Sequence, residues 1–236
     1  MPDGTPVFTC RDLGKRFRIP MPSTRRLPWR RPMQSHWAVR HLDLDVHAGE
    51  VLGLVGANGA GKSTLLRLMS RIMHPTEGEL TLRGRVATML EVGAGFHWEL
   101  TGRENIYLSG TLLGMRRAEV HARIDEIVAF AGVEEYLDTP IKRYSSGMYV
   151  RLGFAVASTL DAEILLVDEI LAVADAAFRR QCLDRLRAKA RAGSAIVFVS
   201  HGQENVRALC DRAVLLDDGR LTAAGTPGEV LDRYQT

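Results

Sequence analysis

Gly56-Ala57-Asn58-Gly59-Ala60-Gly61-Lys62-Ser63-Thr64 has the residue types, in the right order, to wrap a polyphosphate. The run fits G-x-x-x-x-G-K-[ST]. Its glycines let successive amides turn inward on an anion, its lysine reaches the terminal phosphates, and the hydroxyl of Ser63 is placed to ligate Mg²⁺. A glycine-rich turn alone is a weak signal. Here an apolar run, Val51 to Val55, precedes it, and a helical pattern from Leu65 follows, adding the positive end of a helix to the attraction.

A second chemical group closes the buried run Ile164-Leu165-Leu166-Val167 with two carboxylates, Asp168 and Glu169. The C-terminal end of such a strand is where open α/β sheets bind ligands. Asp168 is expected to hold Mg²⁺ through its water shell, and Glu169 to polarise the attacking water for in-line displacement at a γ-phosphate. One strand further on, Val197-Phe198-Val199-Ser200 leads to His201, positioned to hydrogen-bond the same phosphate and keep water and Glu169 in register. Tyr144-Ser145-Ser146-Gly147-Met148, ahead of Tyr149-Val150-Arg151 and the helical run Leu152 to Leu160, offers a second anion-binding helix N-terminus whose purpose within one chain is not evident.

The elements that must hold these groups follow from periodicity. Strand-like runs alternate with helical ones: Val51 to Val55 then Leu65 to Met73, Ile164 to Val167 then Phe178 to Ala192, Ala195 to Val199 then Gln203 to Cys210. That order predicts a parallel sheet flanked by helices. Val39 to Val46, Glu79 to Arg83, and the pair Arg212 to Leu216 and Leu221 to Ala224 about Asp218-Gly219 read as added antiparallel strands. From Leu100 to Thr159 the strand patterns give way to three helical stretches, entered through the capping box Thr101-Gly102-Arg103-Glu104; a second box, Thr226-Pro227-Gly228-Glu229, opens a terminal helix.

With 236 residues, 46% hydrophobic and 25% charged, the chain can bury one substantial core with a subdomain. No apolar run approaches the roughly 18 residues of a membrane span, and the start shows no signal-peptide pattern, so a cytoplasmic address is expected. Cys10, Cys182 and Cys210 lack metal-ligand spacing and are expected to be reduced packing or surface residues. The net charge of +3 is too small to argue for nucleic acid as a partner. One basic stretch, with Arg25, Arg26, Arg30 and Arg31 around Pro28 and Trp29, is compatible with a solvated loop, with anionic headgroups or with a membrane partner's cytoplasmic face.

Together these segments resemble the nucleotide-binding subunits of ABC transporters over nearly the whole chain. Tyr144 to Met148 is similar to that family's signature motif, usually written LSGGQ, and departs from it at the first position and in its latter part. The resemblance implies an α/β P-loop ATPase with a RecA-like parallel-sheet core and an antiparallel β subdomain in 1–99 and 160–236. Residues 100–159 would be the inserted helical subdomain. It implies ATP and Mg²⁺ as ligands, and a head-to-tail dimer in which the signature of one copy closes over ATP held by the phosphate loop of the other. By it, Ala172-Val173-Ala174-Asp175 matches the loop coupling the two sites, His201 the switch histidine, and Phe17 the aromatic stacked on adenine, with Trp37 as second choice. Where most members carry a glutamine that contacts metal and water, this stretch offers Glu91, whose carboxylate can ligate a metal but cannot donate an amide hydrogen bond.

Leu90 to His97, Glu99 to Ile106, the Tyr-Ser-Ser-Gly-Met-Tyr segment and the basic insertion after Phe17 are similar to exporters of lipid-linked polysaccharide such as O-antigen, teichoic acid, capsule or galactan. The implied partners are a second copy of the chain, two copies of a separate transmembrane permease and a lipid-linked glycan, at the cytoplasmic face of the inner membrane. Some members carry a further C-terminal β-sandwich, and the sequence leaves open whether one follows Thr236. A non-transport ABC ATPase acting on DNA or ribosomes would need a coiled-coil insertion or two fused cassettes. A P-loop kinase or GTPase would leave the signature segment and His201 without a role. A purely regulatory nucleotide-binding module would bind ATP without turning it over.

Overall fold

The computed structural model describes residues 4–20, 33–89, 93, 95–168, 175–200 and 202–234. Its centre is a six-stranded sheet built from β3 (Val51–Val55), β5 (Val86–Met89), β6 (Ile164–Asp168), β7 (Ala195–Val199), β8 (Arg212–Asp217) and β9 (Arg220–Gly225), in the order β5-β6-β7-β3-β8-β9. All neighbours are parallel except β8 and β9. A smaller antiparallel sheet, β2-β1-β4, is made by β1 (Pro6–Pro20), β2 (Met33–His47) and β4 (Glu77–Leu82).

The parallel sheet is covered on both faces, which is why its strands read as unbroken apolar runs. Leu165, Val167, Ile196 and Phe198 face a core shared with helices α2 (Gly102–Leu112), α3 (Arg117–Ala131), α4 (Ser146–Ser158) and α5 (Ala176–Arg191). Their alternates Ile164, Leu166, Val197 and Val199 face α1 (Lys62–Met69) and the antiparallel sheet. Burying each such side chain contributes about 1.5–3 kcal/mol. Two further helices, α6 (Gln203–Leu209) and α7 (Pro227–Tyr234), complete the fold. Among the described residues no helix is long and apolar enough to cross a membrane.

Between Leu100 and Thr159 the described elements are α2, α3, two short 3-10 turns and α4. Both capping boxes form: Glu104 N donates to Thr101 Oγ1 at 3.2 Å while Thr101 N donates to Glu104 Oε2 at 2.8 Å, and Thr226 and Glu229 exchange the corresponding bonds at the start of α7.

Two strands, β1 and β5, are not expected from the sequence, and two expectations change. β1 carries no clean alternation because Asp12, with φ 47°, and the register shifts around Leu13 put bulges into it. It forms because β2 and β4 pair with its two edges. β5 is a short edge strand recruited by β6. β8 does pair with β9 across Asp218-Gly219, but it belongs to the parallel sheet through β3; a tight turn sets only one edge of a strand. Helix α1 stops at Met69, with Arg71 at φ 59° and Pro75 ahead, short of the Met73 that its apolar pattern suggests.

Candidate functional site

Strand β3 is buried along its length between β7 and β8 and delivers the phosphate-loop segment at its C-terminal end. Two glycines are dictated by space as well as by φ. A Cβ on Gly56 (φ 154°) would stand 2.2 Å from the Leu216 carbonyl oxygen, and one on Gly61 (φ 106°) 2.2 Å from that of Ala38. The loop is also pinned from below, since Gly219 N in the β8–β9 turn donates to Ala60 O at 3.0 Å. Gly61 caps α1 without a side chain, and the first turn of α1 has no acidic residue. Its first amides and the positive end of its dipole are therefore presented to whatever sits in the loop.

Lys62 is only 8% exposed. Its Nζ donates to Gly56 O at 2.7 Å and Ala57 O at 2.9 Å, so the ammonium is folded back over the loop it belongs to. Asn58, Gly59, Gly61, Lys62, Ser63 and Thr64 line a cleft of ≈ 400 Å³ with Asp168 at the end of β6 and Val199 at the end of β7. Gly56 and Ala60 are buried beneath that surface, and Ala57 is exposed beside it. Ser63 and Asp168, far apart in sequence, thus present a hydroxyl and a carboxylate to one cavity. Two hard oxygen donors beside a phosphate cradle fit Mg²⁺, which takes few protein ligands and completes its shell with phosphate and water.

The same cleft is also lined by Phe17, His36 and Ala38 of the β1–β2 ribbon. Phe17 pairs directly with His36 across the β1–β2 ribbon, and Arg16 pairs with Trp37. Successive side chains alternate faces, so Trp37 lies on the side away from the cleft. There its ring is flanked by the Arg16 and Arg40 guanidinium groups at 5.1 and 5.2 Å. Of the two aromatics expected for the base, only Phe17 is in the cavity lining.

None of Tyr144 to Met148 lines this cleft. Tyr144 turns inward: its hydroxyl donates to Tyr136 O at 2.8 Å, and burial, then the nearby Asp138, push its pKa up. Met148 packs on the core. Ser145 caps α4, its Oγ accepting from Met148 N at 3.2 Å. Ser145 and Ser146 are exposed, with Gly147 half-buried behind them. The surface this segment offers is therefore Ser145, Ser146 and the amides opening α4.

Asp175 caps α5, accepting from Phe178 N at 2.9 Å, and its other oxygen accepts from Arg151 of α4. The Phe178 amide, then the Arg151 guanidinium, hold its carboxyl below the usual range. Arg151 also lies 5.1 Å over the Phe178 ring. The helix opened by the signature-like segment is thus tied to the start of α5. Glu169, His201 and Glu91, with Ala172 to Ala174 and the basic stretch Arg25 to Arg31, lie outside the described residues.

Residues 39–172 match the family described as ABC transporter. The chain belongs to that family.

As an ABC ATPase it binds nucleotide. It is 45% identical over 202 residues to an O-antigen export system ATP-binding protein of Klebsiella pneumoniae, covering 86% of this chain and 82% of that one. It is 43% identical to an ABC transporter protein, AbcA, of Aeromonas salmonicida, covering 97% and 76%. It is also 39% identical to a teichoic acids export ATP-binding protein of Listeria monocytogenes, covering 88% and 62%. Among solved structures, an ATP-binding subunit of an ABC transporter superposes with TM-score 0.77 at 22% identity over 97% of this chain and 93% of that one. A dimeric ATP-binding cassette in a post-hydrolysis state, bound to ADP and Pi, superposes with TM-score 0.75 at 19% identity over 93% and 98%.

Three residues of this ABC subunit escaped the sequence reading. His36 could have been found only from the register with Phe17. Arg151 was quoted as part of a motif, but its reach to Asp175 depends on how α4 and α5 pack. Asn105, fully buried, ties the turn before α2 together: its Oδ1 accepts from His97 N, and the two hydrogens of its Nδ2 are shared among His97 O, Leu100 O and Thr101 O. Its position one residue after the capping-box glutamate was the available signal.

Proposed function

We propose that this chain is the MgATP-hydrolysing subunit of an exporter of lipid-linked polysaccharide, of the O-antigen or teichoic acid kind. It would act at the cytoplasmic face of the inner membrane as a head-to-tail pair beneath two copies of a separate permease. The names of its relatives support the substrate class. The separation of the two anion-binding features supports the paired arrangement: the phosphate loop, Asp168 and Phe17 share one cleft, while Ser145, Ser146 and the opening of α4 stand outside it, exposed. One nucleotide site per chain is then half-built until a second copy supplies its signature segment. On this reading 100–159 forms a helical subdomain that carries this segment, and 1–99 with 160–236 carries the loop.

In the loaded state the amides of 56–64 and the start of α1 bind the phosphates. Lys62 Nζ exchanges its carbonyl partners in the loop for phosphate oxygens, a change that costs little because the ammonium already lies over the cradle. Bound Mg²⁺, held by Ser63 and through water by Asp168, would neutralise charge on the terminal phosphates. Glu169 orients and deprotonates the attacking water, and His201 holds the γ-phosphate. Glu91 would supply a carboxylate to the metal where most members have a glutamine, and Asp175, bonded to Arg151, links the start of α5 to α4.

The test is Glu169→Gln. The variant should bind ATP, release no phosphate at steady state and elute as a dimer with ATP. A protein that stays monomeric with every nucleotide and with its membrane partner overturns the paired mechanism. For the substrate class, co-expression with the partner permease in a host lacking its own O-antigen export ATPase should restore surface glycan.

A further inference from the structure

We propose that His36 is the second wall of the base site, forming with Phe17 a two-ring platform on which the base of the nucleotide stacks. The proposal rests on the nucleotide-site reading and adds to it a base-binding residue on the second strand of the ribbon. Three observations carry it. Phe17 and His36 are direct partners in the antiparallel register, so they stand side by side on one face. Directly opposed residues have Cβ atoms about 5 Å apart, close enough for two rings to make one continuous surface. Both side chains line the cleft that is also lined by Lys62, Ser63 and Asp168. The third wall residue, Ala38, is on the same face as His36 and is small, leaving room above the platform for a flat ligand.

The chemistry suits a purine. Phe17 is half-buried and His36 exposed, so the platform runs from a dry inner ring to a wet outer one. A bicyclic base is wider than one phenyl ring, and an aromatic neighbour extends the stacked area without demanding a particular hydrogen-bond pattern. On the opposite face of the ribbon Trp37 has the Arg16 and Arg40 guanidinium groups over its ring, while over the Phe17 ring the structure places the single Lys15 ammonium, at 5.8 Å.

Calorimetric titration of the full chain with ATP and with base-free tripolyphosphate tests this. His36→Ala should weaken ATP by about 3–10-fold, the scale of one lost ring contact, and leave tripolyphosphate unchanged. His36→Phe should bind ATP like the parent, which also shows that the site is intact in a folded variant. The proposal is overturned if His36→Ala binds ATP as the parent does, if ATP and tripolyphosphate weaken together, or if His36→Phe is as weak as His36→Ala. A parent chain that binds tripolyphosphate as tightly as ATP also overturns it while leaving the phosphate site standing. A parent that binds neither overturns the nucleotide-site reading itself.

Discussion

Gly59 and Gly61 sit two residues apart in the same loop, both with positive φ, 85° and 106°, yet the space around them differs completely. A Cβ at Gly59 meets nothing within 4 Å, whereas one at Gly61 falls 2.2 Å from the Ala38 carbonyl oxygen. Alanine at either position pays about 1–2 kcal/mol for the left-handed backbone and regains about 0.4–1 kcal/mol from a stiffer unfolded chain. Gly59→Ala should therefore cost roughly 0–1.5 kcal/mol. Gly61→Ala must in addition push the loop off a backbone oxygen of β2, an overpacking cost of about 1–3 kcal/mol, for a total near 3 kcal/mol. Because the obstructing atom is backbone, no side-chain rotation relieves it. Urea unfolding followed by circular dichroism reads the difference as a midpoint lower by about 1 M for Gly61→Ala than for Gly59→Ala. ATP titration should show the larger loss at Gly61 as well, since the loop can relieve the clash only by moving away from β2. Equal unfolding midpoints for the two variants would refute the claim that close approach, rather than φ alone, selects glycine at 61.

Two further outcomes follow from the helical part of the chain. Asn105→Leu keeps side-chain volume but takes the acceptor from His97 N, while the carbonyls of His97, Leu100 and Thr101 keep the backbone donors Leu100 N, Ile141 N and Asn105 N, so it should cost about 1–3 kcal/mol, seen as a fall of several degrees in thermal midpoint; an unchanged midpoint would show that this loop is held by other contacts. Glu104, Glu119 and Glu229 each accept the backbone amide of their helix cap, which holds their carboxyls below the ordinary value of 4.5. Their contribution is complete above that value and is lost as the pH falls through each lowered folded value, so stability should decline on the acid side. Replacing all three by glutamine should flatten that limb in pH-dependent unfolding, and a parallel, unflattened limb would assign the acid loss to other groups.

What could be read along the chain was whatever depends on neighbours in sequence. The phosphate loop, the capping boxes at Thr101 and Thr226, and the buried runs of β3, β6 and β7 all have their hydrogen-bond partners or their apolar period within a few residues, so residue type and spacing suffice. Tertiary structure decided everything that turns on a partner far away. β1 is a strand because β2 and β4 complete its ladders across bulges that erase its alternation, and β8 joins the parallel sheet through β3, over 150 positions distant. The same reason separates Phe17 from Trp37. A period of two places residues on opposite faces, but only the pairing of Phe17 with His36 says which face looks into the cleft. Likewise Arg151 clamps Asp175 because α4 and the start of α5, separated in sequence by β6, meet there, and that meeting is a property of the assembled core rather than of any local pattern.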